Sequence, residues 1–527
     1  MKTLRYIYKI SVVLAIAIMV NACSGDWLDV NTDPNNPAEA SLDLLLPAAQ
    51  VSMALRMTRT SQQNGSIFTR QYYNLSESQY THTGSDYAND FDGFFSGALT
   101  DLERIIDQGT VEERYHFIGI AQVCKAYIYM IMVDLWGDLP YDEALKGSEY
   151  ITPKYQDDEE VYNRVLTLLD DALVSLDEDD IPVAGDLVYD GDIDLWIKAA
   201  NTIRFRMYLN MENATGMTQM INDDEMISDN EEDFQFQFGP GIAPQNRHPL
   251  HQREYVGGNK IHYMDNYFMY NMLMKDDPRT KYYLYRQDDG SSLTFETIPC
   301  NTRTDCIYGY LGTNPDLAGH PDAEGYIGRD HGDPSGLPGD NTIRTTFGIY
   351  PIGGRYDDGS FDDMDDTEGT GEGIIPFLTF SMVKFMHAEG VLRFGLAGDA
   401  SALMREGIVA SMEKVSDFAT TLDQDAPPID DADISAYADS RVLDLALAAN
   451  PTAELNVVIK EKYYAVWGNG IEAYTDYRRT GCPLDLPTSL VPAAPYPLRL
   501  HYSVNEQASN PNTPEPAITD PIFWDKN

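Results

Sequence analysis

Apolar residues recur along most of the chain at steps of three and four, the spacing that places them on one face of an α-helix. The clearest case runs from Glu112 to Leu135, where the stripe consists of Phe117, Ala121, Cys124, Ile128, Ile131 and Leu135. Further stripes of this kind begin at Val161, Trp196, Phe380, Met404 and Leu455. The pattern predicts a series of long amphipathic helices.

Short polar residues and glycines mark where these helices begin and end. Asp157 and Asp399 stand just before two of the stripes and are predicted N-caps, and Gly468-Asn469-Gly470 stops the last one. A helix with one apolar stripe is covered best by an antiparallel neighbour. The predicted fold class is therefore mainly α, a tetratricopeptide-like scaffold of helix pairs, although no strict repeat of about 34 residues is present.

The pattern changes in the middle of the chain. Residues 290–373 contain 16 of the 39 glycines, with many Asp, Asn and Pro residues, so no long helix is expected there. Long loops in compact proteins are commonly functional. We predict helical regions at 41–285 and 374–480, a loop-rich irregular ligand-binding subdomain at 286–373, and an extended tail at 483–527.

The N-terminus has the features of an export signal. Lys2, Arg5 and Lys9 precede an apolar stretch from residue 10 to residue 20, which is too short to span a membrane. Residues 1–22 are predicted to be a signal peptide, and Ala22 before Cys23 predicts that Cys23 is acylated, for example with palmitate. The alternative is a plain secretory signal with a cysteine nearby. The lipid would be the only membrane attachment.

The charge of the chain narrows the range of partners. Acidic residues number 84 and basic residues 37, giving a net charge of −47, while 43% hydrophobic residues are typical of a globular protein. Nucleic-acid affinity depends mainly on Lys and Arg, so we predict that this acidic protein does not bind nucleic acid. Neutral, cationic or protein partners are expected.

Four cysteines remain after Cys23 is assigned to the lipid. Cys300 and Cys306 lie close together in a polar stretch and are a disulfide candidate, which export permits. Cys124 falls on a helical stripe and is predicted to be a core residue. The absence of a CxxC pair argues against a zinc site built from cysteines.

No recognisable catalytic, metal or cofactor motif is present. Phosphate loops, HExxH, GxSxG and GxGxxG helix starts are all missing from the sequence. Asp29, Asn31 and Asp33 match the start of a calcium loop, but Pro34 and Ala40 occupy its glycine and glutamate positions. We therefore predict no cofactor and no metal. Because acidic residues are so abundant, a surface glycoside hydrolase stays open as an alternative.

Three histidines lie close together in the sequence. His248, His251 and His262 have no helical register and flank a proline, so they are interpreted as ordinary surface histidines and not as zinc ligands.

Tyrosines outnumber phenylalanines, 34 to 19, and several tyrosines fall in the aromatic stretch from Phe68 to Phe95. Tyr side chains combine a flat apolar face with a polar tip, which suits stacking on sugar rings. The predicted ligand-binding residues are Arg70, Tyr72, Tyr73, Asn74 and Tyr80. The alternatives are that these tyrosines only pack the loop onto the scaffold, or that the site lies at Tyr308, Tyr310 and Tyr326.

Several segments, in order along nearly the whole chain, resemble the SusD/RagB-like nutrient-binding lipoproteins of Bacteroidetes. They are WLDVNTDPNNP, DLWGDLPYDEA, RTTFGIYPIGGRYDD, FLTFSMVKFMHAEG, KYYAVWGNGIEAYTDYRRTG and YPLRLHYSVNEQASNP. The resemblance implies an outer-membrane lipoprotein that faces the cell exterior and partners a SusC-like TonB-dependent transporter. It implies capture of glycans for uptake without catalysis, and peptide ligands in the same role are the alternative.

Overall fold

The computed structural model describes residues 40–74, 78–178, 180–256, 261–293, 300, 303–320, 322–334, 344–362 and 368–527. The signal peptide, Cys23 and the calcium-loop candidates lie outside these residues. The helices are α1 (Leu42–Met57), α2 (Thr60–Phe68), α3 (Ala88–Gly93), α4 (Thr100–Glu112), α5 (Tyr115–Trp136), α6 (Asp158–Leu176), α7 (Ile193–Asn210), α8 (Ala214–Asp223), α9 (Pro249–His251), α10 (Asn266–Met274), α11 (Thr280–Tyr283), α12 (Phe380–Phe394), α13 (Ala400–Leu422), α14 (Asp431–Leu447), α15 (Pro451–Ala465), α16 (Gly470–Thr480) and α17 (Val504–Ser509).

The predicted fold class, mainly α, is confirmed, and consecutive long helices pack against each other as expected. Helix α5 packs on α4 and α6, and α12 packs on α13 and α15. The predicted caps are present, because the side chain of Asp157 accepts a hydrogen bond from Glu159 N and that of Asp399 accepts one from Ser401 N. Local sequence signals therefore set the boundaries of these helices.

Helix α5 is the centre of the core. Its predicted stripe is buried, including Cys124, but almost every other residue of the helix is buried as well. Among the described residues α5 alone has the length and composition of a membrane span, yet 94% of its most apolar window is buried inside the protein. Burial on all sides accounts for this apolar composition, so α5 is a core helix.

Strands are short, and three of the four pairs join distant parts of the chain. Four antiparallel pairs are present among the described residues. They are β1 (Tyr72–Tyr73) with β5 (Tyr263–Met264), β2 (Leu139–Pro140) with β3 (Tyr155–Gln156), β4 (Phe234–Gln237) with β8 (Ile374–Leu378), and β6 (Leu284–Tyr285) with β7 (Thr346–Phe347). Each pair fixes a loop to a neighbouring loop or helix end.

Two glycines allow α2 and α16 to cross closely. A Cβ atom added to Gly65 would lie 2.4 Å from the carbonyl oxygen of Gly470, and one added to Gly470 would lie 2.3 Å from Ser66 N. Backbone therefore contacts backbone at this crossing, which joins the start of the helical scaffold to its last long helix.

The tail packs over the end of α5. Leu500 N donates to Leu135 O at 2.8 Å, and Trp524 Nε1 donates to Asp134 Oδ1 at 2.9 Å. The side chains of Ile522 and Trp524 are buried. The tail thus forms part of the core, and its one short helix is α17.

Candidate functional site

Several loops meet on one side of the scaffold and form what we call the loop face (residues 70–74, 78–82, 303–310 and 329–334, with Cys300). Strand β1 pairs with β5, and Arg329 N donates to Met264 O at 3.0 Å on the other side of β5. Ala493 N of the tail donates to Gln79 O at 2.8 Å. Segments from four regions of the chain therefore hold the loop face in place.

Asp330 organises one part of the loop face. Its carboxylate accepts hydrogen bonds from the backbone N–H groups of Ile307, Tyr308 and Gly309, at 2.7, 2.9 and 3.0 Å. Asn266 Nδ2 donates to the same carboxylate at 2.7 Å. Burial raises the pKa of Asp330 although these donors act against that shift. One buried carboxylate therefore fixes the course of residues 307–309.

Asp333 organises the other part, next to the disulfide candidate. Its carboxylate accepts from Cys300 N at 2.9 Å, and its backbone oxygen accepts from the hydroxyl of Tyr73 at 2.6 Å. Cys300 and Cys306 are bonded as a disulfide with their Cα atoms 6.2 Å apart. Cys300, and Cys306 bonded to it, are thus tied to strand β1 through Asp333.

The predicted stacking surface is not exposed, which corrects that expectation. Tyr72, Tyr73 and Tyr80 have exposed fractions of 2%, 0% and 5%, and Arg70 has 3%. Their rings pack edge-on against other aromatic rings of the interior, such as Tyr263 beside Tyr73 and Phe68 beside Tyr80. Only Asn74 is half-buried. These tyrosines support the loop face from below and are not available as an open surface for sugar rings.

Arg70 holds the tail against the loop face. Its Nε donates to Pro487 O at 2.8 Å, its Nη2 donates to the Tyr80 hydroxyl at 2.9 Å, and its Nη1 donates to Phe68 O. All of these acceptors belong to the protein itself. The guanidinium is therefore a structural tie between segments more than 400 residues apart, and the expectation that it orients a ligand is corrected.

The second predicted location is closer to the solvent. Tyr308 and Tyr310 are half-buried, while Tyr326 is fully buried. Tyr308 lies against Tyr270 with ring centroids 4.8 Å apart, and its neighbour Ile307 is 61% exposed. The outer surface of the loop face beside the disulfide thus carries an aromatic ring and an exposed aliphatic side chain.

The three histidines are buried, so their interpretation as surface residues is wrong. His248 accepts from Leu250 N, His251 stacks on Tyr255 at 4.7 Å, and His262 Nδ1 lies 2.7 Å from Glu254 Oε1. Burial lowers the pKa of His248 to about 3 and that of His251 to about 4. His248 and His251 therefore act as neutral capping and packing groups, and His262 contacts the buried carboxylate of Glu254.

Two groups of potential metal ligands occur among the described residues. The first contains Cys300 and Cys306, whose sulfur atoms are already bonded to each other. The second consists of Asp138, Asp157 and Asp158. Asp138 accepts from Asp158 N at 3.1 Å and Asp158 accepts from Phe523 N at 2.9 Å, so this group ties α6 to its surroundings.

A cavity of about 420 Å³ lies between the Gly-rich segment and the end of α13, lined in part by Arg355, Tyr356 and Leu422. The guanidinium of Arg355 contacts Glu368 at 3.1 Å and Asp362 at 3.1 Å. The guanidinium of Arg355 is therefore already paired with carboxylates, and Asp423 and Asp425 add further acidic side chains to the lining.

Comparison with known families identifies the fold. A model of SusD-like proteins, described as starch-binding and associating with the outer membrane, matches residues 34–502. The chain belongs to the SusD-like family. The resemblance inferred from its sequence segments is thereby confirmed, and the outer-membrane association is a property of this family. No curated protein sequence matches the chain.

Solved structures agree with this family. A SusD/RagB family protein from Bacteroides thetaiotaomicron superposes with a TM-score of 0.71 at 19% identity, over 93% of this chain and 99% of that one. A SusD homologue from Bacteroides fragilis superposes with a TM-score of 0.68 at 18% identity, over 93% of this chain and 100% of that one. A chitin-binding SusD homologue from Flavobacterium johnsoniae superposes with a TM-score of 0.67 at 18% identity, over 92% of this chain and 99% of that one. At these identities the likeness establishes the fold.

The residues that build the loop face were not predicted from the sequence. Asp330 and Asp333 lie in a stretch with many acidic residues, where no spacing distinguishes them from solvent-exposed carboxylates. Their only local signal is a position between glycines in a loop-rich region, which is the usual place for carboxylates that accept several backbone N–H groups.

Proposed function

We propose that this protein captures saccharides at the cell surface and delivers them to a SusC-like TonB-dependent outer-membrane transporter. The proposal is supported by membership of the SusD-like family and by the chitin-binding relative with the same fold. The observation that carries it in this chain is the loop face, whose outer loops are fixed by Asp330, Asp333 and a disulfide. Loops held rigidly lose little entropy when a ligand binds.

The ligand would contact the outer surface of the loop face and not its buried tyrosines. Ile307 and the half-buried ring of Tyr308 supply apolar surface there, and the half-buried Asn74 is a polar side chain of the loop face. A neutral sugar needs such a combination, since its C–H face packs on apolar surface while its hydroxyls form hydrogen bonds.

Affinity electrophoresis and calorimetry against starch, chitin oligosaccharides and a mixture of peptides test this function. Tyr308→Ala should weaken glycan binding about three- to tenfold, as expected when an aromatic contact is lost. Tyr115→Ala is the matched control, because Tyr115 is 36% exposed at the start of α5, away from the loop face. Binding of peptides only would favour the peptide alternative, and release of reducing ends would favour a glycosidase.

The transporter partnership needs a separate test. An interface that persists while the transporter opens should be larger than the standard size of about 1,600 Å² and mainly apolar. Co-purification from solubilised outer membranes should therefore survive about 0.5 M salt, because apolar burial is screened less than exposed charge. Dissociation at moderate salt would show that the contact is electrostatic and transient.

A further inference from the structure

A cavity of about 620 Å³ opens in the helical scaffold, outside the loop face. It lies among α3, the π-helical segment Phe94–Leu99, α4, the connection between β2 and β3, and α17. Small-ligand sites in proteins commonly enclose about 300–1,000 Å³. The cavity is thus large enough for one or two sugar rings.

Aromatic and aliphatic side chains form the walls of this cavity. Phe91 and Phe95 lie with ring centroids 5.4 Å apart, and Phe91 rests on the buried ring of Trp136 at 5.3 Å. Tyr150 is 37% exposed on the opposite connection, and the ammonium of Lys146 lies 5.6 Å from the centre of its ring. The walls therefore offer rigid ring faces, one of which already contacts a cation.

Carboxylates dominate the rim of the cavity. Four acidic side chains and one guanidinium, that of Arg104, line the cavity. Arg104 lies 3.5 Å from the carboxylate of Asp101, which does not line the cavity. The four acidic residues are Asp92, Glu103, Asp107 and Glu506. Set against Arg104, Lys125 at Glu103 and Lys146 beside Tyr150, the four carboxylates still leave the cavity negative by about one charge, which favours a ligand with positive charge.

Three of these carboxylates are oriented by neighbouring side chains. Asn505 Nδ2 donates to Asp92 at 2.7 Å, Lys125 Nζ lies 2.5 Å from Glu103, and Asn510 Nδ2 donates to Glu506 at 2.8 Å. A carboxylate can accept about four hydrogen bonds, so each keeps acceptor capacity for a ligand. The fourth, Asp107, is exposed on α4.

We propose that this cavity is a second ligand site, selective for saccharides that carry free amino groups. A sugar ring would pack on Phe95 and Tyr150, its hydroxyls would donate to the carboxylates, and its ammonium would be placed beside Asp107 and Glu103. An N-acetylated or neutral sugar could use the same walls but would gain nothing from the charge of the rim.

The test compares two probes of equal length and linkage by calorimetry, the hexamer of β-1,4-linked glucosamine and its fully N-acetylated form. Conditions are chosen so that the ligand amines are protonated. The free-amine hexamer should bind at least tenfold more tightly, and this difference should shrink as salt is raised. Equal affinity for the two hexamers, or no binding of the free-amine hexamer, would overturn the proposal.

Two exposed substitutions locate the binding. Asp107→Asn should weaken binding of the free-amine hexamer up to about fivefold, as expected for one exposed ion pair, and Tyr150→Ala should weaken it by a similar factor through the loss of one aromatic contact with the sugar ring. The matched controls are Asp417→Asn and Tyr115→Ala. Asp417 is exposed on α13, and the Tyr115 side chain is 36% exposed, compared with 37% for Tyr150. Both controls should change the affinity less than twofold.

These variants also separate the cavity from the loop face. All four changed side chains are exposed, so circular dichroism should show unchanged melting. If Asp107→Asn and Tyr150→Ala bind as tightly as the unaltered protein, the amine is recognised elsewhere and the proposal is wrong. Tighter binding of a lysine-rich peptide, lost in the same two variants, would likewise refute the assignment to saccharides.

Discussion

Arg206 lies at the centre of a buried ion network, and its replacement gives the sharpest test of what stabilises the scaffold. Its Nη1 lies 2.6 Å from Asp134 Oδ2, and its Nε contacts Glu472. The side chains of Arg206 and Asp134 are 1% and 0% exposed. Arg206 joins α7 to α5 and α16, so these contacts link three helices of the core.

Arg206→Met keeps most of the side-chain volume but leaves two carboxylates without their guanidinium. Removal of one partner from a buried ion pair costs about 3–5 kcal/mol of unfolding free energy. With an unfolding entropy of about 2.1 cal/mol/K per residue, about 500 residues give roughly 1 kcal/mol per degree, so the melting temperature should fall by about 3–5 °C. Urea unfolding followed by tryptophan fluorescence measures the free energy directly.

Arg405→Met is the matched control for this experiment. Arg405 Nε lies 2.8 Å from Asp439 Oδ1, but the two side chains are 40% and 66% exposed. Exposed pairs contribute about 0.2–1 kcal/mol, because water and salt screen them. If the two substitutions lower the unfolding free energy by the same amount, the reasoning about burial is refuted.

Four further outcomes are expected. Burial opposes the ionisation of Glu472, but Arg206 and Lys462 outweigh it and hold its pKa at about 2, below the ordinary 4.5. The stabilisation that this carboxylate gives above about pH 4.5 should therefore be lost as the pH falls toward about 2. Urea unfolding of Glu472→Gln should lack this part of the pH dependence. Gly65→Ala should cost about 1–3 kcal/mol in the same assay, because the added methyl group meets backbone; an unchanged unfolding free energy would refute the close crossing. Mass spectrometry of a non-reduced digest should find the two cysteines at 300 and 306 linked, and alkylation of both without reductant would contradict this. Cys23→Ala should release the protein from membranes or leave its precursor uncleaved, as fractionation and labelling with radioactive palmitate would show.

Helix boundaries were predictable because their causes are local. The stripe in α5 and the caps at Asp157 and Asp399 each depend on residues within one or two turns. Propensity, periodicity and capping act over such distances, and the mainly α fold class follows from them. The aromatic stretch after Phe68 was harder, because its second part forms α3 and a π-helical segment where a loop was expected.

The exposure of individual side chains was not predictable in the same way. The buried Arg70 donates to the carbonyl oxygen of Pro487, which lies 417 positions away. Arg206 is satisfied by Glu472, 266 positions away. Periodicity shows that a residue lies on a buried face, but not which distant segment covers it or supplies its partner. The ion network and the loop face therefore became visible only in the folded structure.

The packing of the tail on α5 also determines when the protein can finish folding. Asp134 accepts a hydrogen bond from Trp524, which is synthesised 390 residues later. At about 5–20 residues per second that interval lasts roughly 20–80 s. During this interval the end of α5 is not yet covered by the C-terminal tail. Contacts between residues so far apart in the sequence also form slowly. This part of the core can therefore be completed only after the last residues of the chain have been made.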